Sequence, residues 1–385
     1  MEKPPIIAYI QYVFIIAKIY VSTLSDMIKQ FFIINPPLSH IRKKIYSKEE
    51  SILHNKFFIA VDSGKSYTKG VIRTENKLIE RVKFRTKVME ANGFGNDILM
   101  KNTNVIEYER KKFLIGDLVS EEYVSYDLTK QTNEHLISIY LAITKLLERS
   151  QEYTAMAKIY LAVNIPINLY KNEQKRREYE AFIQQNGKVI GIEVNGKPYS
   201  FTLEKVIALP EALGPIYYQR NDFRHKRALI FDIGSLNTSV LECNRLIPNF
   251  DRMLVSNLGI NILRSSIAEQ LSSRYAISFT SDDAEQILRD KRIIVDGTEQ
   301  EEGNEIIKTA FEQHVKQIIN YAKSRKISFA NTELIFIGGG SILLKEQFLK
   351  HFPNATFTPE EDTQFSSILS FLIILEAKYN EQRKA

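Results

Sequence analysis

The chain has 385 residues. This length is more than one compact core usually contains, and it suits two domains with an extension. Hydrophobic residues make up 44% of the chain, charged residues 25%, and the net charge is +6, an ordinary balance for a soluble globular protein. No long basic stripe or recognised DNA-binding module accompanies the mild positive charge, so direct nucleic-acid recognition is not indicated. The single cysteine, Cys243, excludes an internal disulfide framework and a cysteine metal cluster, and it is consistent with a reducing cytoplasm.

Residues 1–55 form an N-terminal extension for which three interpretations remain open. Residues 6–24 are mostly apolar apart from Lys18, and a basic cluster follows at 42–44. Because about 17–25 apolar residues cross a bilayer, the segment could be a membrane anchor, although Lys18 makes this costly. It could instead be a helix docked on the body of the protein or on a partner. The third interpretation is translated sequence upstream of the true start, which Met27 favours.

An apolar strand followed by a polar turn occupies residues 56–69, KFFIAVDSGKSYTK. The apolar run ends at Asp62, as a buried strand does when it delivers a loop. Gly64 lets the backbone approach a ligand closely, Lys69 supplies a positive charge, and Asp62 can hold a hydrated Mg²⁺ through water. The turn therefore predicts a loop that binds phosphates and a metal. Its candidate binding residues are Gly64, Lys65, Ser66, Tyr67 and Lys69.

The middle of the chain alternates strand and helix patterns. A charged stretch at 171–185 predicts a solvated helix of mixed charge rather than a nucleic-acid site. The other predicted elements are antiparallel strands over 70–84, a loop over 90–103, a strand and turn over 112–119, a helix over 134–149, a strand over 159–165 and a hairpin over 188–203.

The pattern of an apolar strand and an acidic turn returns at residues 227–238, RALIFDIGSLNT. Asp232 lies 232 − 62 = 170 residues after Asp62. A third apolar strand over 334–337 runs into a triple glycine, after which a helix is predicted to begin at Ser341. Two acidic loops and a triple glycine in this order indicate a duplicated domain that clamps a nucleotide between its halves. The candidate binding residues here are Gly234, Ser235, Asn237, Thr238, Gly338, Gly339, Gly340 and Ser341, with Asp232 as a second carboxylate that holds the metal through water.

The remaining segments of the second half predict helices around these strands. The amphipathic pattern over 303–323 predicts a long helix that packs on the sheet delivering strand 334–337. The other predicted elements are helices over 262–275, 282–289 and 365–379, with Ser281 as an N-cap, and a short strand over 292–295.

The order DSGKSYTK, LPEALG at 209–214, FDIGSLNT and FIGGGS resembles the superfamily of actin, the sugar kinases and the heat-shock chaperones. Within it the chain is most similar to the bacterial and plasmid actin-like proteins of the ParM type, from about Lys56 to the C terminus. The resemblance implies an α/β fold of duplicated, ribonuclease H-like domains around a nucleotide cleft. Domain I would span 56–224 and domain II 225–385, with the last helix returning to domain I.

The resemblance also places Glu211 opposite the γ-phosphate, on a helix that connects the two domains. Hydrolysis of ATP needs a water in line with the γ-phosphoryl group, and a carboxylate can orient that water and accept its proton. The residues alone also allow that Glu211 merely begins a helix. Ser235, Leu236 and Asn237 stand where the family has glycine and threonine, which bears on the hydrolysis rate more than on nucleotide binding. The catalytic candidates are Glu211, Asp62 and Asp232.

By resemblance, the protein would bind ATP, or GTP, with Mg²⁺ and form head-to-tail filaments whose lifetime hydrolysis controls. Its role would be plasmid or DNA segregation in the cytoplasm through a DNA-binding adaptor of the ParR type, so this chain would not read DNA sequence itself. One alternative is a membrane-linked cytoskeletal actin, supported only by residues 6–24. Another is a small-molecule kinase, which needs a catalytic aspartate at the substrate hydroxyl, and no convincing candidate is evident.

Overall fold

The computed structural model describes residues 56–91, 102–120, 123, 130–151 and 156–379, which form an α/β fold around two main sheets. The predicted fold class is confirmed. The apolar segment 6–24, the basic cluster at 42–44 and most of the predicted loop 90–103 lie outside the described residues. In the part of the chain that the structure describes, no helix has both the length and the apolar character needed to cross a membrane.

The first sheet has nine strands in the order β3-β2-β1-β7-β9-β8-β5-β6-β4. Its centre contains the parallel strands β1, β7 and β9, and β2 pairs with β1 in the antiparallel direction. Because parallel strands end at the same edge of a sheet, the segments after β1, β7 and β9 lie close together. The strands are β1 Lys56–Ser63, β2 Tyr67–Arg73, β3 Ile79–Arg85, β4 Val88–Glu90, β5 Thr103–Tyr108, β6 Lys111–Gly116, β7 Ala157–Ile165, β8 Val189–Val194 and β9 Lys197–Pro210.

Helix α1, Asn133–Ser150, covers one face of this sheet and confirms the helix predicted over 134–149. It begins after Thr132, whose hydroxyl accepts a hydrogen bond from the His135 N–H at 3.3 Å, a typical N-cap. Its apolar stripe is buried in one core with the side chains of β1, β2 and β3. The short helix α2, Ile167–Tyr170, and the charged helix α3, Glu173–Gln184, follow β7.

The second sheet repeats the arrangement at the centre of the first. Strand β10 pairs antiparallel with β11 and parallel with β16, as β1 does with β2 and β7. The duplication predicted from the two acidic loops is therefore visible in the strand pairing. After the short helix α4, Arg220–Phe223, the strands are β10 Arg227–Ile233, β11 Thr238–Asn244, β12 Ile247–Pro248, β13 Leu254–Ser256, the separate ribbon of β14 Ile294–Val295 and β15 Thr298–Glu299, then β16 Glu333–Ile337 and β17 Thr356–Phe357.

Seven helices accompany the described part of this second sheet. The predicted long helix is confirmed as α7, whose apolar residues pack with Phe231 of β10 and Phe336 of β16. Cys243 is buried in β11, as its small apolar character suggests. The helices are α5 Ile260–Tyr275, α6 Ser281–Asp290, α7 Glu301–Ser324, α8 Gly339–Leu343, α9 Lys345–His351, α10 Glu360–Thr363 and α11 Ser366–Tyr379.

Helix α11 packs against both main sheets. Its residues Ile368, Phe371 and Leu372 share one core with Ala60 of the first sheet and Ile230 of the second. At the far end, its Glu376 accepts a hydrogen bond from Arg73 Nε of β2 at 2.7 Å. The two sheets are thus joined by a common apolar layer, while the domain boundary predicted near residue 224 stays a prediction.

Two predictions about element ends are wrong. Ser281 lies inside α6, and the N-cap is Thr280, because its hydroxyl accepts the Asp283 N–H at 3.1 Å while its own N–H binds the Asp283 carboxylate at 2.8 Å. These reciprocal bonds form a capping box. The triple glycine is not a loop before the helix, because α8 already begins at Gly339.

Candidate nucleotide-binding site

A cavity of about 310 Å³ opens where the two main sheets meet. It is lined by the turn after β1, the turn after β10, the triple glycine and the segment after β9. The structure thus brings together nearly all of the residues predicted from the sequence. Those that line the cavity are Asp62, Gly64, Lys65, Ser66, Tyr67, Lys69, Glu211, Asp232, Gly234, Ser235, Asn237, Gly338, Gly339 and Gly340.

The first loop is a tight hairpin between β1 and β2. The Gly64 N–H donates to the Tyr67 carbonyl at 3.1 Å, and Asp62 lies opposite Lys69 in the strand register. The Lys69 ammonium donates to Asp62 Oδ2 at 2.6 Å. One carboxylate and one cation are therefore fixed at the mouth of the hairpin.

The second loop has the same backbone geometry, with the Gly234 N–H donating to the Asn237 carbonyl at 2.9 Å. Thr238 does not line the cavity, because its side chain is buried and its hydroxyl donates to the Leu258 carbonyl at 2.6 Å. This hydrogen bond holds the second loop in place outside the lining of the cavity. The departure at 235–237 from the common family pattern therefore leaves the turn itself intact.

Asn261 completes the second loop and was not found from the sequence. It is the second residue of α5, and its Oδ1 accepts a hydrogen bond from the Ser235 hydroxyl at 3.0 Å. Its Nδ2 is buried and has no partner among the described residues, although Asn261 lines the cavity. This amide is an unused donor of the kind that a phosphate oxygen accepts. A polar residue at the start of a helix beside a phosphate loop could have indicated it.

The triple glycine begins at Gly338, which precedes α8 and has a left-handed φ of +84°. A Cβ at this position would lie 2.6 Å from Asp232 Oδ1 and 2.6 Å from the Ile233 carbonyl oxygen. Ser341 is buried below the cavity, and its hydroxyl donates to the Gly338 carbonyl at 2.8 Å. The triple glycine thus lets the start of α8 approach the second loop closely.

The helix predicted to carry Glu211 is wrong: residues 211–219 form turns, and α4 begins only at Arg220. Left-handed φ values of +63° at Ala212 and +55° at Gly214 interrupt the helical path. The Glu211 N–H instead donates to the Ile165 carbonyl at 3.1 Å. Glu211 is therefore held directly beside the end of β7.

Two further residues hold the Glu211 side chain, and the sequence did not single them out. Lys130 Nζ lies 2.9 Å and Asn164 Nδ2 3.2 Å from Glu211 Oε1. Asn164 is the penultimate residue of β7 and pairs with Leu209 of β9. Its place at the end of a strand parallel to β9 is a signal that could have been used. Lys130 carries no motif that would have identified it.

The cleft shifts the pKa of Asp232 and of Lys69. Burial raises the pKa of Asp232 to about 7; Asp62 and Glu211 add to this rise, whereas Lys69 and the Ala212 N–H oppose it. Burial by itself would lower the pKa of Lys69, but its carboxylate neighbours, Asp62 above all, raise it. Crowded carboxylates of this kind are stabilised in their ionised form by a bound cation.

Asp232→Asn should stabilise the nucleotide-free protein in EDTA at neutral and higher pH. Because the pKa of Asp232 is raised to about 7 by folding, its contribution to stability is complete below about pH 4 and is lost as the pH rises through about 7. The gain in unfolding free energy should grow to on the order of 4 kcal/mol above pH 7. Urea unfolding at a series of pH values checks this, with the exposed Asp290→Asn as control. A gain that does not change with pH would contradict it.

Comparisons with known proteins agree with this geometry. Residues 60–214 match the family model described as the N-terminal domain of actin-like proteins. A crystal structure of an archaeal actin homologue has a TM-score of 0.69 at 19% identity, covering 83% of this chain and 99% of that chain. A 15-stranded ParM filament from Clostridium botulinum has a TM-score of 0.67 at 18% identity, covering 84% and 100%. An Alp12 filament has a TM-score of 0.62 at 24% identity, covering 85% and 100%. A search of curated proteins finds no match.

The chain has an actin-like fold. Residues 60–214 are an N-terminal domain of the actin-like type, and the actin-like fold extends over more than four-fifths of the chain. The predicted resemblance to the actin-like superfamily, with similarity to ParM proteins, is confirmed.

Proposed function

We propose that the protein binds Mg-ATP in this cleft, assembles into filaments and hydrolyses the nucleotide to limit the lifetime of the filament. The observation that carries the proposal is the pair of matching hairpin loops, each led by an aspartate, around one cavity that Glu211 also lines. Solved relatives support it. The Alp12 and ParM structures are filaments, and the archaeal actin homologue has been solved in complex with ADP.

The cavity suits a nucleotide in size and in chemistry. Its volume of about 310 Å³ is at the lower end of the range for small-molecule sites. The cations Lys65, Lys69 and Lys130 line it, and the unpaired Asn261 Nδ2 adds a buried donor. Phosphate oxygens need such positive charges and N–H groups.

The residues also suit a magnesium ion held through water. Asp62 and Asp232 both line the cavity, and Mg²⁺ in phosphate sites usually keeps several waters and takes only one or two carboxylates. In the described part of the chain, no three His, Cys, Asp or Glu side chains converge on a metal position. The bound ion would neutralise phosphate charge, while Asp62 and Asp232 orient its water ligands.

Filament formation is tested by light scattering and sedimentation of the full chain after addition of Mg-ATP. The proposal expects a rise in scattering followed by decay, and GTP in a parallel series decides the nucleotide. A protein that stays strictly monomeric at high concentration with ATP bound would contradict filament formation. Transfer of phosphate to a sugar or an acid would identify a small-molecule kinase instead.

The cellular role that fits this activity is DNA or plasmid segregation in the cytoplasm. A ParR-type adaptor would read the DNA site in this role. The charged helix α3 of this chain offers no purely basic surface to DNA, because it carries charges of both signs and its Arg177 is paired with Glu173 one turn earlier. Filaments that bind a DNA fragment with sequence preference in the absence of any adaptor would contradict the assignment of DNA recognition to the adaptor.

A membrane link through residues 6–24 remains the alternative, and fractionation of the full chain and of a protein beginning at Lys56 tests it.

Asn261→Asp should weaken ATP binding by about tenfold or more. The substitution keeps the side-chain shape but replaces the unpaired Nδ2 donor with an anionic oxygen beside the phosphates, where like charges repel. Titration with a fluorescent ATP analogue measures the change. Asn331→Asp, on the exposed turn before β16, is the control and should bind as wild type does. Equal affinity of the two variants would show that Asn261 does not face the phosphates.

A further inference from the structure

Two donors bind the same oxygen of the Glu211 carboxylate. Lys130 Nζ and Asn164 Nδ2 lie 2.9 Å and 3.2 Å from Oε1. No described residue donates a hydrogen bond to Oε2. The Glu211 side chain keeps 22% of its surface exposed, whereas the Lys130 side chain keeps 6%. The carboxylate is therefore fixed through Oε1, and Oε2 is the oxygen that remains available.

Asn164 carries a second acceptor without a partner. Because a carboxylate oxygen only accepts hydrogen bonds, Nδ2 must be the amide atom beside Glu211, and Oδ1 is left over. Asn164 is 4% exposed and lines the cavity, and its Oδ1 is buried with no hydrogen bond from the described residues. An unpaired buried acceptor destabilises the protein, and a bound donor removes this cost.

The Tyr179 hydroxyl, which lies near Asn164, already has other partners. The Tyr179 hydroxyl donates to the main-chain carbonyl of Asn164 at 3.3 Å and lies 2.8 Å from His135 Nε2. Two acceptors, Glu211 Oε2 and Asn164 Oδ1, thus belong to side chains that are hydrogen-bonded to each other beside the cavity. A single small molecule that satisfies both must offer two hydrogens, as water does.

We propose that Asn164 is a catalytic residue which, together with Glu211, holds the water that attacks the γ-phosphate. The water donates one hydrogen to Glu211 Oε2 and the other to Asn164 Oδ1. Lys130 is a positioning residue that fixes Glu211 through Oε1. This inference rests on the proposed function, because it assigns further residues to the same hydrolysis.

The arrangement leaves a lone pair of the water oxygen free for the attack. As the new O–P bond forms, the bond from the γ-phosphorus to the oxygen bridging the β-phosphate breaks, and ADP leaves with that electron pair. One proton of the water passes to Glu211 Oε2 and is then released to solvent, which restores the carboxylate. The other stays on the phosphate product.

The test compares Asn164→Leu, which keeps the side-chain volume but has neither the Oδ1 acceptor nor the Nδ2 donor to Glu211, with the wild-type full chain. Phosphate release in a single turnover should fall by about 10- to 100-fold, which corresponds to the loss of one strong hydrogen bond. The Kd for ATP should stay within a few-fold. The Kd for ADP with aluminium fluoride, a mimic of the phosphoryl group in transfer, should rise by the same factor as the rate falls. Asn164→Ala serves as the second variant if the leucine variant does not fold.

Lys130 is tested by rescue. Lys130→Met should slow release, and Lys130→Arg should recover part of the rate because arginine also donates to Oε1. An unchanged rate in Asn164→Leu, or a loss of ATP affinity equal to the loss of rate, would overturn the proposal. Glu211→Ala, measured in parallel, distinguishes a failure of the proposed function from a failure of this inference. Wild-type hydrolysis by Glu211→Ala would overturn both assignments, while a slow Glu211 variant beside a fast Asn164 variant would overturn this inference alone.

Discussion

Glu211→Ala is expected to slow phosphate release by about 10²–10⁴-fold, the usual contribution of a positioned general base. Glu211 follows β9 at the cavity and is fixed by Lys130 and Asn164, so its loss removes the group proposed to orient the attacking water. ATP binding should change little, because the loops proposed to bind the phosphates lie on other segments of the chain. Rapid-quench measurement of phosphate and titration of ATP affinity separate the two quantities.

Light scattering measures the effect of the same substitution on the lifetime of the filaments. After addition of Mg-ATP, the wild-type signal should rise and decay, whereas the Glu211→Ala signal should rise and persist. Glu178→Ala, on the charged helix α3 and bonded there to Gln174, is the matched control and should decay as wild type does. Decay at the wild-type rate in Glu211→Ala would show that this carboxylate does not limit the lifetime of the polymer.

Gly338→Ala is expected to reduce nucleotide affinity by at least about 100-fold or to prevent folding. The added methyl group would lie 2.6 Å from both Asp232 Oδ1 and the Ile233 carbonyl oxygen. The left-handed φ of +84° adds a strain of roughly 1–2 kcal/mol for any residue with a Cβ. Because the second loop must move to relieve the contact, both thermal unfolding and ATP titration should report the change.

The neighbouring Gly339 provides the control for this substitution. A Cβ there would meet only Gln364 Nε2 at 3.6 Å, an ordinary contact. Gly339→Ala should therefore unfold at nearly the wild-type temperature, and any loss of ATP affinity in it measures how much bare backbone the nucleotide itself requires. If Gly338→Ala binds ATP as tightly as wild type, the close packing of α8 on the second loop has no role in the site.

The loops of the site could be predicted because their chemistry is local. One apolar run ends at Asp62 and another ends at Asp232. Each predicts a strand and the hairpin that follows it within one short segment. Helix α1 and helix α7 were predicted almost to their ends, since each carries a continuous apolar stripe. These features depend on neighbours in sequence.

The groups that were missed depend on contacts between distant segments. Lys130 and Asn164 meet Glu211 across 81 and 47 residues of chain, and Asn261 meets Ser235 across 26 residues. The helix expected at Glu211 failed for the same reason. The Gly214 N–H donates to Ser367 Oγ of α11 at 3.1 Å, so a tertiary hydrogen bond replaces the helical one.

The position of α11 also affects how the protein is made. Ala60, Val71 and Ala162 of the first sheet share a core with Phe371 and Leu375 of this helix, which is synthesised after both main sheets. The nascent first sheet therefore keeps an apolar face uncovered until residues 366–379 have been made, which exposes it to aggregation. A premature stop codon before residue 366 would release a polypeptide that lacks the helix covering this apolar face of the first sheet.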